Sequence, residues 1–221
     1  KSPRFNALPT IEITSSNWYN PTMNYKLFMV PGILVTLLTL IGSLMAALNI
    51  VHEKEVGTIE QINVSPITKL QFILGKLIPF WVMGLVTLTL GLIVSWLFYN
   101  IIPIGSIALI YLFGMVFLFT LLGIGLLIST YAETQTQATF VSFFIMMLFM
   151  LLGGLYTPIE SMPEWAKWIT KINPVAYFIE VMRMIVLKGS GFSDVKDQFF
   201  SVLGLGIVFT GWAVINYRKR A

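Results

Sequence analysis

Long stretches without a charged residue constrain this chain more than any other feature. Residues 77–132 contain no Asp, Glu, Lys or Arg, and shorter charge-free stretches cover 27–51, 134–159 and 198–217. A helix needs about 20 consecutive apolar residues to cross a bilayer. The longest stretch exceeds two such lengths and contains a turn signal, Asn100 followed by Pro103, so it predicts two helices. The sequence therefore predicts five membrane spans, at residues 27–51, 75–99, 105–130, 137–157 and 198–217.

The composition agrees with a membrane environment. Only 11% of the residues are charged and 57% are hydrophobic, whereas a soluble domain carries about 25% charged residues. We therefore predict an all-α integral membrane protein with several crossings. The net charge of +4 does not indicate nucleic-acid binding, because the basic residues are scattered over the connections.

The sequence argues against catalysis by this chain. It contains no cysteine and a single histidine, His52, which excludes a thiolate metal site, a histidine cluster and a Cys nucleophile. The Gly189-Ser190-Gly191 stretch lacks the lysine of a phosphate-binding loop. We predict no catalytic, cofactor-binding or metal-binding residues, so this chain should not hydrolyse ATP itself, and energy for any transport would come from a partner or from an ion gradient.

The connection after the first predicted span has the pattern of a surface helix. Thr58 and Gln61 have the spacing of a capping box, and Val56, Ile59 and Ile62 recur every three residues. This pattern predicts an amphipathic helix over 53–64, lying along the membrane surface. Such a helix could fit into a groove of a partner or pack on its own bundle, and the residue pattern alone leaves both open.

A second connection, 161–188, predicts two helices that are too short to span. Ser161 and Glu164 have capping-box spacing for the first helix, and Asn173-Pro174 would cap the second, which Gly189 would end. Because tryptophans follow Glu164, we predict that this pair dips into one membrane interface.

Glu180 and Arg183 stand three residues apart on the second of these helices. They are predicted to form a local ion pair, and a substrate or gating pair is the alternative.

Some side chains within the spans are candidates for a substrate path or for contact between two copies. Gly42 and Ala46 are a small-residue pair suited to close helix contact. Methionine and phenylalanine in the fourth span could adapt to varied apolar ligands, although packing or lipid contact is the more common reason for them. The candidates are Thr39, Gly42, Ser43, Ala46, Phe143, Met147 and Met150.

Charge counting leaves the orientation undecided. One side would carry six basic residues and the other eight. The run 218–220 directly follows a span, which favours its side, together with 52–76, as the inside.

Five motifs in order resemble the membrane subunit, or permease, of type-2 ABC exporters. They are NWYNP at 17–21 with FMVPG at 28–32, HEKEVGTIEQ at 52–61 with SPI at 65–67, GGLYTPI at 153–159 with MP at 162–163, NPVAYF at 173–178, and Arg183 with LKG at 187–189. The family has six spans, with an extracytoplasmic segment after the first. The resemblance implies that this chain lacks the first transmembrane helix. Residues 1–24 would then end the extracytoplasmic segment, and 25–221 would form the permease domain.

The resemblance also implies a location in the bacterial inner or cytoplasmic membrane, together with partners and roles. Two permease copies would pair, as a homodimer, and each would bind a cytosolic ABC ATPase that uses ATP and Mg. The 53–64 helix would be the coupling helix that docks on the ATPase, and the first and fourth spans would line the path. The implied ATPase contacts are Glu53, Lys54, Glu55, Gly57, Thr58, Glu60 and Gln61. The implied re-entrant residues, near the outer face, are Asn173, Pro174, Tyr177, Glu180 and Arg183.

The predicted function is therefore export of an amphipathic or lipid-like substrate by alternating access. An ATP-independent secondary carrier or channel is the alternative, and a membrane scaffold is the third possibility. Spans without charge argue against an ion-coupled carrier, because such carriers place ionisable residues at mid-membrane.

Overall fold

The computed structural model describes residues 24–57 and 69–216, and within these ranges all regular structure is helical. A π-helical segment, Leu40–Met45, joins α1 to α2, and a 3₁₀ turn, Ile159–Ser161, precedes α6. The α-helices are α1 Tyr25–Thr39, α2 Ala46–Val56, α3 Lys69–Tyr99, α4 Ile107–Tyr131, α5 Gln135–Leu151, α6 Glu164–Thr170, α7 Pro174–Lys188 and α8 Phe192–Asn216.

The first span is a continuous helix, Tyr25–Val56, that includes the π-helical segment. It ends at Gly57, which has a φ of 79° in the left-handed region. Glycine adopts this conformation without a steric penalty because it has no Cβ. Residues 53–56 therefore belong to the spanning helix, and the prediction of one separate helix over 53–64 is wrong at its start. Residues 58–64 lie outside the described residues.

In the part of the chain that the structure describes, four helices are long and apolar enough to cross a membrane: Tyr25–Val56, Ile73–Tyr99, Ile107–Tyr131 and Phe192–Asn216. This confirms a multi-pass α-helical protein, and the last of these helices starts six residues before the predicted 198. The predicted span 137–157 corresponds to α5, whose 17 residues extend about 25 Å. The chain turns after Leu151, where Gly154 has φ 77°. Because a bilayer core is about 30 Å thick, the fifth crossing stays a prediction.

Helix α4 is the most enclosed of the four, and glycines allow its neighbours to approach closely. A Cβ on Gly206 of α8 would lie 2.6 Å from the Thr120 hydroxyl, which donates to the Val202 carbonyl at 2.9 Å. On another side, Phe178 of α7 stacks against Phe113 at 5.1 Å between ring centroids. Helix α7 is therefore part of the core.

The two short helices differ from each other. Asn173 caps α7, accepting from the Val175 amide at 3.0 Å, and Gly189 ends it with φ 70°, so both signals are confirmed. The capping box at Ser161 is wrong, because Ser161 ends the 3₁₀ turn and α6 begins after Pro163. The residue before a proline avoids the helical region, which delays the helix start. Helix α6 exposes Trp165 and Trp168, so it alone has the exposed aromatic surface expected at an interface.

Candidate functional site

The last turn of the first spanning helix places three charged side chains against three other helices. Glu53 accepts a hydrogen bond from the Lys76 ammonium of α3 at 2.5 Å. Only 19% of the Glu53 side chain and 29% of the Lys76 side chain are exposed. An ion pair this shielded is screened less by salt than a surface pair.

Lys54 and Glu55 bind the facing ends of two consecutive helices. The Lys54 ammonium donates to the Ser129 carbonyl and, at 3.2 Å, to the Ala132 carbonyl, at the C-terminal end of α4. The Glu55 carboxylate accepts from the Gln135 backbone amide at 2.7 Å and from its side-chain amide at 2.5 Å, at the first residue of α5. A cation at a helix C-terminus and an anion at an N-terminus are both favoured by the helix dipole.

We name this cluster, Glu53, Lys54, Glu55, Lys76 and Gln135, the charged junction. It fixes the end of the first spanning helix to the start of α3, the end of α4 and the start of α5. A displacement of this helix end therefore changes contacts at all three helices. His52 belongs to its rim, with Nδ1 3.1 Å from the Gln135 side-chain nitrogen.

Three of the seven residues predicted to contact an ATPase belong to the charged junction. Glu55 is exposed, so its outer edge is open to a partner, whereas Glu53 and Lys54 are partly enclosed. Gly57 follows as the helix stop. Thr58, Glu60 and Gln61 lie outside the described residues.

Lys76 and Gln135 were missed by the sequence reasoning. They stand 23 and about 80 residues from their partners, beyond the range of helical spacing rules. Lys76 directly precedes the long charge-free stretch, which was the available signal for a charge at a membrane boundary.

Four predicted path residues lie on or beside the π-helical segment and are buried inside the chain. Thr39 donates its hydroxyl hydrogen to the Val35 carbonyl at 2.8 Å. A Cβ on Gly42 would lie 2.9 Å from the Leu121 Cβ. A Cβ on Gly125 of α4 would lie 2.5 Å from the Ser43 carbonyl oxygen and 2.9 Å from the Ala46 Cβ. The close contact expected of Gly42 and Ala46 is therefore made with the chain's own α4.

The other three predicted path residues lie on α5. Phe143 and Met147 are exposed and Met150 is half-buried. Between them, Met146 is buried. Helix α5 therefore presents an outward apolar face of phenylalanine and methionine.

The predicted pairing of Glu180 with Arg183 is replaced by other contacts. Arg183 donates through Nη1 to the Gly154 carbonyl at 3.1 Å, and its guanidinium lies 3.5 Å from the centroid of the Phe28 ring. Glu180 instead accepts from the Gln198 amide at 3.2 Å. Burial lowers the pKa of Arg183 to about 10, so it stays charged at neutral pH.

The remaining predicted residues of this region tie α7 to neighbouring segments. Asn173 is fully buried and donates to the Phe149 carbonyl at 2.8 Å, and Pro174 occupies the first turn of α7. The Tyr177 hydroxyl donates to the Lys171 carbonyl at 3.0 Å. These contacts join the end of α5, α6 and α7 into one unit at the opposite end from the charged junction.

The family model described as "ABC-2 family transporter protein" matches residues 3–216. The chain belongs to this family. Among curated relatives, this ABC-2 family member is similar to the "Probable multidrug ABC transporter permease YbhR" of Escherichia coli, with 33% identity over 95% of this chain and 57% of the relative. YbhS of the same organism, described in the same words, is 31% identical over 96% of this chain and 56% of the relative.

More distant relatives include the "ABC transporter G family member 20" of Dictyostelium discoideum, 24% identical over 96% of this chain and 30% of the relative. The ABC-2 chain thus spans a little over half the length of the Escherichia coli permeases it matches. Family membership and the apolar helices make it a multi-pass permease component of the membrane, which in bacteria is the inner membrane.

Proposed function

We propose that this chain is the membrane-spanning part of an ATP-driven exporter that moves amphipathic or lipid-like molecules by alternating access. A separate ABC ATPase subunit would use ATP and Mg, and this chain would bind no cofactor. Two permease copies would pair as a homodimer. The family membership and the names of the Escherichia coli relatives support this proposal.

The observation that carries the proposal is the charged junction. A subunit that receives mechanical work at one membrane face needs a rigid attachment between the receiving segment and its spans. The end of the first spanning helix is bonded to α3, α4 and α5 by Glu53, Lys54 and Glu55. Movement applied at Gly57 would therefore be passed to several helices together.

The segment after Gly57 is the proposed docking element. Thr58, Glu60 and Gln61 would contact the ATPase, with the outer edge of Glu55 beside them. The glycine stop separates this segment from the spanning helix. Docking and transmission are thus assigned to different residues, which makes them separable by mutation.

The substrate path is proposed to run between two copies, along the outward face of α5. Phe143, Met147 and Met150 offer an adaptable apolar surface there. The unit formed by α6, α7 and the turn at Gly154 would be the re-entrant element that closes the outer end of the path.

Separate alanine substitutions on the two sides of Gly57 test this assignment. The full permease is co-purified in lipid nanodiscs with its candidate ATPase, and efflux of an amphipathic fluorescent dye is followed in cells. Glu60→Ala should reduce ATPase association. Glu53→Ala should retain the ATPase but lower efflux, because the ion pair with Lys76 is broken. Asp197→Ala, an exposed acid near the start of α8 and outside both the charged junction and the proposed re-entrant element, is the control and should change neither quantity.

Failure of any ATPase to associate with the wild-type permease in nanodiscs contradicts the proposal. The ATP-independent carrier or channel would then replace it, and dye efflux should follow an ion gradient.

A further inference from the structure

A groove lies between α3 and α8, with α4 as its floor. Both helices pack against α4, whereas among the described residues they make few contacts with each other, so a gap remains between them. The residues that line it fall within 73–81 of α3, 115–122 of α4 and 203–214 of α8. Its volume is about 370 Å³, within the range of roughly 300–1,000 Å³ that is typical of small-molecule sites.

The surface of the groove is apolar throughout. Two of its lining residues, Trp81 and Thr210, have a side chain that can donate a hydrogen bond, and neither offers it to the groove. The Trp81 indole donates to the Met115 carbonyl at 3.0 Å. The Thr210 oxygen is enclosed on the α4 side, where a Cβ on Gly123 would lie 2.3 Å from it. A polar occupant would lose its hydration without gaining a partner, so the groove fits a hydrocarbon.

The groove is open at its edge but too narrow for a helix of another chain. Leu74 and Ile78 of α3 and Phe119 of α4 are exposed at this edge, in helices long and apolar enough to cross a membrane. Residues 73–81 extend about 12 Å along α3, so a volume of about 370 Å³ corresponds to a mean cross-section of about 30 Å². A helix with its side chains is at least about 10 Å wide, or about 80 Å² in cross-section. A single extended hydrocarbon chain is therefore the occupant that this width admits.

One end of the groove lies beside the charged junction and near a run of positive charge. Ile73 and Leu77 line this end, pack with Val214 of α8 and flank Lys76 in the sequence. The basic run, Arg218-Lys219-Arg220, follows Val214 after three residues. It lies outside the described residues, but the four residues from Val214 to Arg218 span at most about 14 Å. Chain continuity therefore keeps the basic run within reach of a lipid headgroup at this end, and such runs attract anionic headgroups.

We infer that the groove binds one acyl chain of an anionic phospholipid from the leaflet on the side of the charged junction. The acyl chain lies on the apolar wall as far as Trp81, and the basic run attracts the headgroup. A zwitterionic lipid with the same acyl chain binds more weakly, because its headgroup has no net charge. Binding needs neither ATP nor an ATPase, so it is independent of the proposed transport function.

Photolabelling with two phospholipids that differ only in the headgroup tests the inference. The full permease in phosphatidylcholine nanodiscs receives a trace of phosphatidylglycerol or of phosphatidylcholine, each with a diazirine at the end of the same acyl chain. Mass spectrometry then locates the labelled residues. Phosphatidylglycerol should label the groove wall about fivefold more than phosphatidylcholine, and neutralising the basic run by Arg218→Gln, Lys219→Gln and Arg220→Gln should remove most of this preference. Lys196→Gln, which removes an exposed cation at the other end of α8, should leave the preference unchanged.

A second pair of variants tests the groove itself. Val116→Trp places a larger side chain in the groove and should lower labelling of its wall by both lipids about tenfold, the effect of excluding about two methylene groups. Val86→Trp makes the same enlargement at an exposed position of α3 outside the groove and should have no effect. Equal labelling of the wild type by the two lipids, or labelling that Val116→Trp leaves unchanged, would overturn the inference. An unlabelled wall would also overturn it, and separation of paired copies by Val116→Trp would then assign the groove to a contact between copies.

Discussion

The two ends of the first spanning helix contact the rest of the chain through different kinds of interaction. At its C-terminal end, Glu53, Lys54 and Glu55 use charged and amide partners on three helices. At its N-terminal end, Phe28 lies under the guanidinium of Arg183, which bonds the Gly154 carbonyl. The first arrangement has several weak contacts that salt and charge reversal can alter. The second depends on one cation, Arg183, bound to the Phe28 ring and to the backbone carbonyls of Gly154 and Phe28.

This difference indicates a division of roles. The charged junction bonds the end of one helix to three other helices, so a movement of this end is passed to all three. The Arg183 contacts bond the other end to the turn at Gly154 only. We therefore expect the charged junction to transmit movement and the Arg183 contacts to set the geometry of the other end.

Arg183→Ala is expected to have the largest effect. It removes a charge-assisted hydrogen bond to Gly154 and the contact with Phe28, so the free energy of unfolding should fall by about 2–3 kcal/mol. Unfolding by SDS in mixed micelles measures this change. Arg183→Lys should recover less than half of the loss, because an ammonium lacks the planar fork of a guanidinium. Full recovery by lysine would show that charge alone matters.

Lys171→Ala removes an exposed cation–π contact with Trp168 and is the matched control.

Lys54→Met should have an intermediate effect. Methionine retains much of the side-chain length but leaves the Ser129 and Ala132 carbonyls without the ammonium. We expect a loss of about 1–2 kcal/mol in the free energy of unfolding, since the hydrogen bonds are charge-assisted and lie at a helix C-terminus. Hydrogen exchange should increase at the end of α4 and the start of α5. Unchanged hydrogen exchange at these helix ends would show that Lys54 does not stabilise them.

The Glu53–Lys76 pair should contribute least. A double-mutant cycle with Glu53→Gln and Lys76→Met should give a coupling free energy of about 0.5–1 kcal/mol. Raising the salt concentration from 0.1 to 1 M shortens the Debye length from about 10 to 3 Å and should reduce this coupling. The loss caused by Arg183→Ala should change less over the same range. If salt reduced the Glu53–Lys76 coupling and the loss caused by Arg183→Ala to the same extent, the proposed difference between the two helix ends would be wrong.

The sequence predicts best the features that depend on neighbouring residues. Asn173-Pro174 and Gly189 bound α7 as predicted, because a cap is formed within one turn of the chain. The turn after Asn100, which itself has φ 53°, was predicted for the same reason. The large spans follow from the absence of charge over helix-length stretches.

Features that depend on distant groups were not predictable in this way. The π-helical segment Leu40–Met45 lies where nearly every residue is apolar, so the sequence carries no periodic signal for a change of helix type. The partner of Arg183 is a backbone carbonyl, which has no side-chain signature. Glu180 was the nearer charge in sequence, but Arg183 is turned towards Gly154 and Phe28.

The central claim, that the charged junction carries movement from the ATPase face to the rest of the bundle, is tested most directly by a charge swap. A spin label at Leu97→Cys, on the exposed far end of α3, reports the distance between the two proposed copies once any native cysteines of the full assembly have been replaced. Trapping the ATPase with ATP and vanadate should change this distance in the spin-labelled protein that retains Glu53 and Lys76. Glu53→Lys and Lys76→Glu should each abolish the shift, and the double substitution should restore it. A shift that persists in both single variants, or a double variant no better than either, would contradict the account.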